Sequence, residues 1–212
     1  YAAIDKFYPG DSWDTGAMRG SFNQLQLLKQ AHPHLKTLIS VGGWTLSGKF
    51  PAVAATAQGR ETFARSCVEF MLTYGFDGID IDWEYPVSGG LTDGTPEDKE
   101  NFTLLLAKLR EELDAAGAGY LLTIAAPAGP STYPNLELDL IHPYLDFINV
   151  MTYDFHGGWE NQTGHNAPMY PASGDPFAQS NSYTVTAAID AYLDAGIPPS
   201  KVVMGLPFYG RG

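Results

Sequence analysis

The sequence predicts an α/β fold built on a parallel sheet. Two observations carry this. Short apolar runs of strand length recur along the chain, and amphipathic helical patterns fall between them. No internal repeat, low-complexity tract or long linker interrupts that rhythm. At 212 residues and 44% hydrophobic, the chain has the length of one domain and enough apolar surface to bury a core.

Taken in order, residues 1–4 read as the tail of a strand. Phe22, Leu25 and Leu28 then recur at helical spacing. Residues 35–41 (LKTLISV) form the first full apolar run. A helix over 60–74 follows, with Cys67 flanked by Phe63, Phe70, Met71 and Tyr74 at helical offsets. That setting predicts a buried apolar thiol. As the only cysteine, Cys67 excludes an internal disulfide and a multi-cysteine metal site.

Residues 76–83 (FDGIDIDW) make the second run. Phe102, Leu105, Leu106, Leu109 and Leu113 form a helical stripe. Thr95 is its expected cap, Pro96 suits the first turn, and Glu97 and Asp98 complement the dipole. Gly117 is the expected stop. Strand runs follow at 120–125 and 145–151. Val185, Ala188, Ile189, Tyr192 and Leu193 mark a last helix, closed by Gly196, Pro198 and Pro199, before a run at 202–207.

Strands that alternate with helices form βαβ units, in either a doubly wound sheet or a (β/α)₈ barrel. No G-x-G-x-x-G follows an early strand, which weakens the dinucleotide-binding version. Polar residues inside the strand runs favour the barrel, where functional side chains sit at C-terminal strand ends.

Charge and composition narrow the partners. The chain carries 24 acidic and 12 basic residues, a formal charge of −12. That excludes a phosphate-backbone binder, so no nucleic acid is expected, and it opposes docking on anionic lipid. No window approaches the roughly 18 consecutive apolar residues of a membrane span. Aromatics make up 13% of the chain, which leaves a neutral sugar polymer as an open partner class.

The richest segment is residues 75–86, GFDGIDIDWEYP. Ile79, Ile81 and Trp83 alternate strictly with Asp80, Asp82 and Glu84. Period two is the strand signature, so the apolar set should meet the helices. The three carboxyls then project into the barrel interior, roughly 6.6 Å apart along the strand. Asp77 has the opposite parity and is expected at the strand entrance. Like charges this close cannot all ionise, so at least one pKa must rise. Mg²⁺ held by two carboxylates and a purely structural role are the alternatives. Neither is preferred, because the spacing is not that of a calcium loop and three aligned acids are expensive to bury. Acid–base chemistry by a carboxyl kept protonated by its neighbours is the reading adopted. Glu84, nearest the C-terminal strand end, is the expected acid.

Asp77-x-x-Asp80-x-Asp82-x-Glu84 followed by Tyr85 and Pro86 resembles the signature of glycoside hydrolase family 18 chitinases. Ser40, Val41, Gly42, Gly43 and Trp44 resemble the motif on that family's preceding strand. Met151, Thr152, Tyr153 and Asp154 resemble the motif two strands later. Residues 205–212, GLPFYGRG, resemble the seventh-strand end of the bacterial-type, subfamily A-like branch. The four motifs occur in the family's order and span nearly the whole chain.

The resemblance implies an endo-type chitinase that hydrolyses β-1,4-linked N-acetylglucosamine polymers with retention. The family is an exception to the two-carboxylate scheme, using the substrate's own acetamido group as nucleophile. By the same resemblance, Glu84 is the acid/base and Asp82 holds the acetamido N–H. Asp80 tunes Asp82 from beneath, and Tyr153 donates its hydroxyl to the acetamido oxygen. Trp44, Tyr85, Met151, Asp154, Trp159, Tyr209 and Arg211 are the expected substrate-binding residues, with Trp44 and Trp159 as sugar platforms. Trp83 shares parity with Ile79 and Ile81, so core packing is expected of it. His32, His34, His142, His156 and His165 lack metal spacing and are expected to be solvated or in loops, His156 near the site. No metal or cofactor is expected.

The partner class implied is chitin or chitooligosaccharides, acted on by a secreted monomer. An endo-β-N-acetylglucosaminidase of N-glycans and a non-catalytic chitinase-like lectin are the alternatives. The lectin is disfavoured because Glu84, Asp82 and Tyr153 are all present. Residues 1–212 are expected to be a partial catalytic domain holding roughly strands two to seven. Strands one and eight, a leader and the branch's α+β insertion are expected to lie outside it. The 212 residues alone are expected to show weak or no turnover, and the full-length parent to be active.

Overall fold

The computed structural model describes residue 4, residues 6–174 and residues 181–211. Five strands lie among them: β1 (Leu38–Gly42), β2 (Gly78–Asp82), β3 (Leu121–Pro127), β4 (Phe147–Met151) and β5 (Val202–Met204). They form one sheet in the order β1-β2-β3-β4-β5, every pair parallel. A doubly wound sheet reverses its order at a switch point, whereas a barrel keeps each strand beside the next. The order here never reverses, and the architecture is that of a partial (β/α)₈ barrel. Of the expected strand tail at 1–4, residues 1–3 lie outside the described residues and Ile4 is in a turn.

The helices are α1 (Gly20–Ala31), α2 (Phe50–Ala54), α3 (Ala57–Tyr74), α4 (Asp98–Ala116), α5 (Leu138–Ile141) and α6 (Val185–Asp194). α3 and α4 pack on each other and against β2 and β3. Their apolar stripes, among them Met71, Leu105, Leu106 and Leu109, are fully buried. So are Ile79 and Ile81 of β2, Leu122 and Ile124 of β3, and Ile148 and Val150 of β4. Alternate residues thus meet the helices, and the remaining parity is left for the barrel interior. Trp83 lies in the core, stacked on Phe50 at 5.2 Å and 12° and edge-on to Phe102. Cys67 is buried, and burial pushes its thiol up to about 12.

One local expectation is corrected. Regular helix in α4 opens at Asp98, with Glu97 at the cap position and no side-chain cap hydrogen bond. Thr95 stands before it in a turn. Its backbone N–H, like that of Val87, donates to the buried Asp98 carboxylate. The acid therefore ties down the incoming loop as well as facing the dipole. The short segments Ser47–Lys49, a 3₁₀ turn, and α2 were not legible, because one or two turns leave too little periodicity. Gly117 does follow α4, and Thr184 caps α6 by accepting from Ala187 N–H.

Candidate active site

The site is built at the C-terminal ends of β2 and β4. Asp80 and Asp82 lie on the inward parity of β2, half-buried, while Ile79 and Ile81 are sealed behind them. Glu84 stands just past the strand end and keeps that parity. Its peptide bond to Tyr85 is cis. The three carboxyls rise in a column, as the alternation required.

Each acid has a distinct setting. Asp80, deepest, accepts hydrogen bonds from Thr123 Oγ1 and, at 3.4 Å, from Asn149 Nδ2. Register explains Thr123: it pairs with Asp80 across the β2–β3 ladder. Asp82, above it, has one buried oxygen with no hydrogen-bond partner among the described residues. Burial first, then the charges of Glu84 and Asp80, push the Asp82 carboxyl up to about 7. Burial also raises Glu84, and the Asp154 charge adds to this. The Tyr85 hydroxyl and the Trp44 backbone N–H pull it partly back. Burial and the neighbouring Glu84 hold the Tyr85 hydroxyl well above its usual range.

A cleft of about 690 Å³ opens over Glu84. Trp44, Tyr85, Met151, Tyr153, Asp154, Trp159 and Arg211 line it with Glu84. Trp44 and Trp159 remain 48% and 61% exposed, so both present ring surface at the cleft. Asp80 and Asp82 lie beneath the walls and do not line them. Tyr209 does not line the cleft either. It packs edge-on to Tyr153 with centroids 6.2 Å apart, and partial burial followed by the Asp154 carboxylate push its hydroxyl up to about 12.

β4 delivers the opposite wall. Met151 ends the strand, and Tyr153 follows it on the same parity. Burial and then the Asp82 charge raise the Tyr153 hydroxyl, so it stays protonated and can donate. Asp154 adopts φ 57, and its backbone N–H donates to Asn166 Oδ1. Arg211 grips it with two parallel bonds of 2.6 Å, from Nε and Nη2. Arg211, followed by the Tyr209 hydroxyl, holds the Asp154 carboxyl below the usual carboxylate range. The guanidinium also faces the Trp159 ring at 5.1 Å.

Other wall residues carried no sequence signal. Ala128, Gly129, Ser131 and Thr132 follow β3, Tyr183 precedes α6, and Gly89 comes from the loop after Glu84. Small residues in loops have no period to read, and only folding brings them to one wall. His156 is in a loop, one of the two settings expected of it. It is buried there, with Nδ1 3.1 Å from the Glu160 carboxylate. Asp77 sits at the entrance of β2, paired with Lys29 at 2.6 Å and accepting from Thr37 N–H. Burial alone would raise it, yet Lys29 and Thr37 leave it below its ordinary value.

The chain is similar in sequence and fold to several named chitinases. The chain is 53% identical to "Chitinase A1" of Niallia circulans over 98% of its length, which is 31% of that protein. It superposes on "Chitinase ChiA74 from Bacillus thuringiensis" with a TM-score of 0.91 and 46% identity, covering 98% of this chain and 35% of that one. An Ostrinia furnacalis Group IV chitinase, solved in complex with allosamidin, matches with a TM-score of 0.82 and 42% identity, covering 88% of this chain and 50% of that one. The chain thus spans about a third to a half of these relatives. The "Glycosyl hydrolases family 18" model matches residues 2–212. The match spans nearly the whole chain, and the chain belongs to glycosyl hydrolase family 18.

Proposed function

We propose that the protein carrying this chain is a secreted, monomeric endo-chitinase. It cleaves β-1,4-linked N-acetylglucosamine polymers with retention. One observation supports this above the others: Glu84, raised by burial, faces an aromatic cleft directly above a second raised acid and opposite the Tyr153 hydroxyl. Chitin and its oligosaccharides are the substrates, with residues 1–212 as part of the catalytic domain.

Glu84 supplies the proton to the glycosidic oxygen. Burial raises its pKa, which favours the protonated form that donation requires. The acetamido carbonyl of the substrate closes on C1, so no protein nucleophile is needed. Tyr153 donates to that carbonyl oxygen and fixes its angle of attack. Asp82 accepts the acetamido N–H. As positive charge develops above it, the balance that holds Asp82 near 7 tips toward the carboxylate, and it stabilises the oxazolinium-like intermediate. Asp80, held in place by Thr123 and Asn149, lies beneath Asp82 on the same strand face. Water then opens the intermediate with Glu84 as base. Trp44 and Trp159 provide the sugar platforms, Tyr85, Met151, Asp154 and Arg211 complete the binding shell, and Tyr209 supports Tyr153 and Asp154 from outside the cleft wall.

Glu84→Gln tests this. With the fold intact by circular dichroism, kcat on chitin oligomers should fall on the order of 10²–10⁴-fold. Product anomers followed by NMR should be β at early times. An unchanged rate in Glu84→Gln would remove the acid from its role. Faster cleavage of N-glycan cores than of chitin oligomers would move the substrate class.

A further inference from the structure

Ser47 follows the Trp44 motif and is 2% exposed. Its hydroxyl lies at the junction of β1 and β2. It donates toward Gly43 O at 2.8 Å and Asp82 O at 3.1 Å, and its oxygen accepts the Glu84 backbone N–H at 2.9 Å. Gly43 N–H also donates to Asp82 O, at 2.7 Å. One small side chain thus joins the loop after β1 to the end of β2. No regular ladder reaches this place, because the β1–β2 register ends at Gly42 and Asp82.

Both ends of Glu84 depend on that joint. Its main chain is held by Ser47 directly. Its carboxylate faces the backbone N–H of Trp44, whose loop Ser47 anchors through Gly43 O. A hydroxyl is the group this joint needs, since it must donate and accept from one atom. We propose that Ser47 is a positioning residue for the acid: it fixes the main chain of Glu84 and the Trp44 loop so that the carboxyl reaches the glycosidic oxygen. This rests on the reading of Glu84 as the general acid.

A misplaced acid penalises poor leaving groups and spares good ones, whereas general loosening of the fold penalises both alike. The test therefore compares two substrates in the whole protein: chitotetraose, whose leaving sugar needs a proton, and 2,4-dinitrophenyl chitobioside, whose leaving group does not. Ser47→Ala should lower kcat/KM, which reports bond cleavage and not the later water attack that also uses Glu84, by about tenfold to a hundredfold on chitotetraose and by less than about threefold on the dinitrophenyl substrate. Equal losses on both, or no loss on either, would overturn the proposal. If Ser47→Ala does not fold, Ser47→Cys keeps the volume with a thiol too weak to hold the joint, and the same ratio decides. Glu84→Gln, run alongside, tests the underlying reading separately. It should show the same leaving-group selectivity more strongly, and if it does not, the acid assignment fails whatever Ser47 does.

Discussion

Asp82 carries a cost that the fold tolerates. Its carboxyl rises to about 7 because burial and two neighbouring acids disfavour its charge. The folded state therefore holds the proton more tightly than the unfolded one. The associated stability is fully present below the unfolded value near 4 and is lost as pH climbs through 7. Asp82→Asn removes the charge and should stabilise the protein by about 1–2 kcal/mol at pH 8 after screening, with the gain vanishing near pH 4. Urea denaturation at the two pH values checks this; an equal gain at both would contradict it. Turnover should fall in the same variant, because stability and catalysis make opposite demands on this carboxyl. At Arg211, the two-pronged grip on Asp154 needs a planar fork. Arg211→Lys should raise KM for chitin oligomers by roughly tenfold or less while leaving the denaturation midpoint little changed, since the pair is partly exposed.

At the scale of elements, the close approach of β1 to β2 sets the geometry beneath the acid. Gly42 has φ 119, and a Cβ there would stand 2.1 Å from Asp82 O, a backbone atom that cannot turn aside. Gly42→Ala should cost about 2 kcal/mol or more in denaturant melts and should lower kcat as well, since the displaced carbonyl is the one Gly43 and Ser47 hold. The helices behind the sheet have a different role. Leu109 is fully buried in the layer where α4 meets α3 and the sheet. Leu109→Ala should cost about 2–5 kcal/mol in the same assay and leave the pH dependence of kcat in place, because it opens a cavity and touches no titrating group.

For the whole molecule, the apolar surface is unevenly distributed. At and beyond β5, Val203, Met204, Leu206 and Phe208 are exposed, Phe208 completely, while the outward faces of β2 to β4 are sealed. Trp13 is also open, stacked on Phe7 at 3.8 Å. A patch of this kind seeks cover. The isolated 212 residues should bind the dye ANS strongly and cleave a fluorogenic chitobioside weakly or not at all. Robust hydrolysis with no dye binding would refute that expectation. Among the described residues no helix is long and apolar enough to cross a membrane.

Much of this molecule was legible in its sequence, because the features concerned are periodic. Alternation along residues 79–84 already separated the core set, Ile79, Ile81 and Trp83, from the acid set, and the strand obeyed it. The helical stripe from Phe102 to Leu113 named the buried face of α4 in the same way. The family resemblance assigned Trp44, Glu84, Tyr85, Tyr153, Asp154 and Trp159 to one substrate site, and all six line one cleft. Three-dimensional proximity decided the rest, because it has no period. Only the β2–β3 register shows that Thr123 holds Asp80, and only folding makes Ser47 the joint beneath Glu84. The exclusion of Tyr209 from the cleft wall and the burial of His156 against Glu160 are packing outcomes of loops. Polar residues in the strand runs already favoured the barrel over a doubly wound sheet, and strand pairing, which only the tertiary structure shows, runs without reversal from β1 to β5 as a barrel requires.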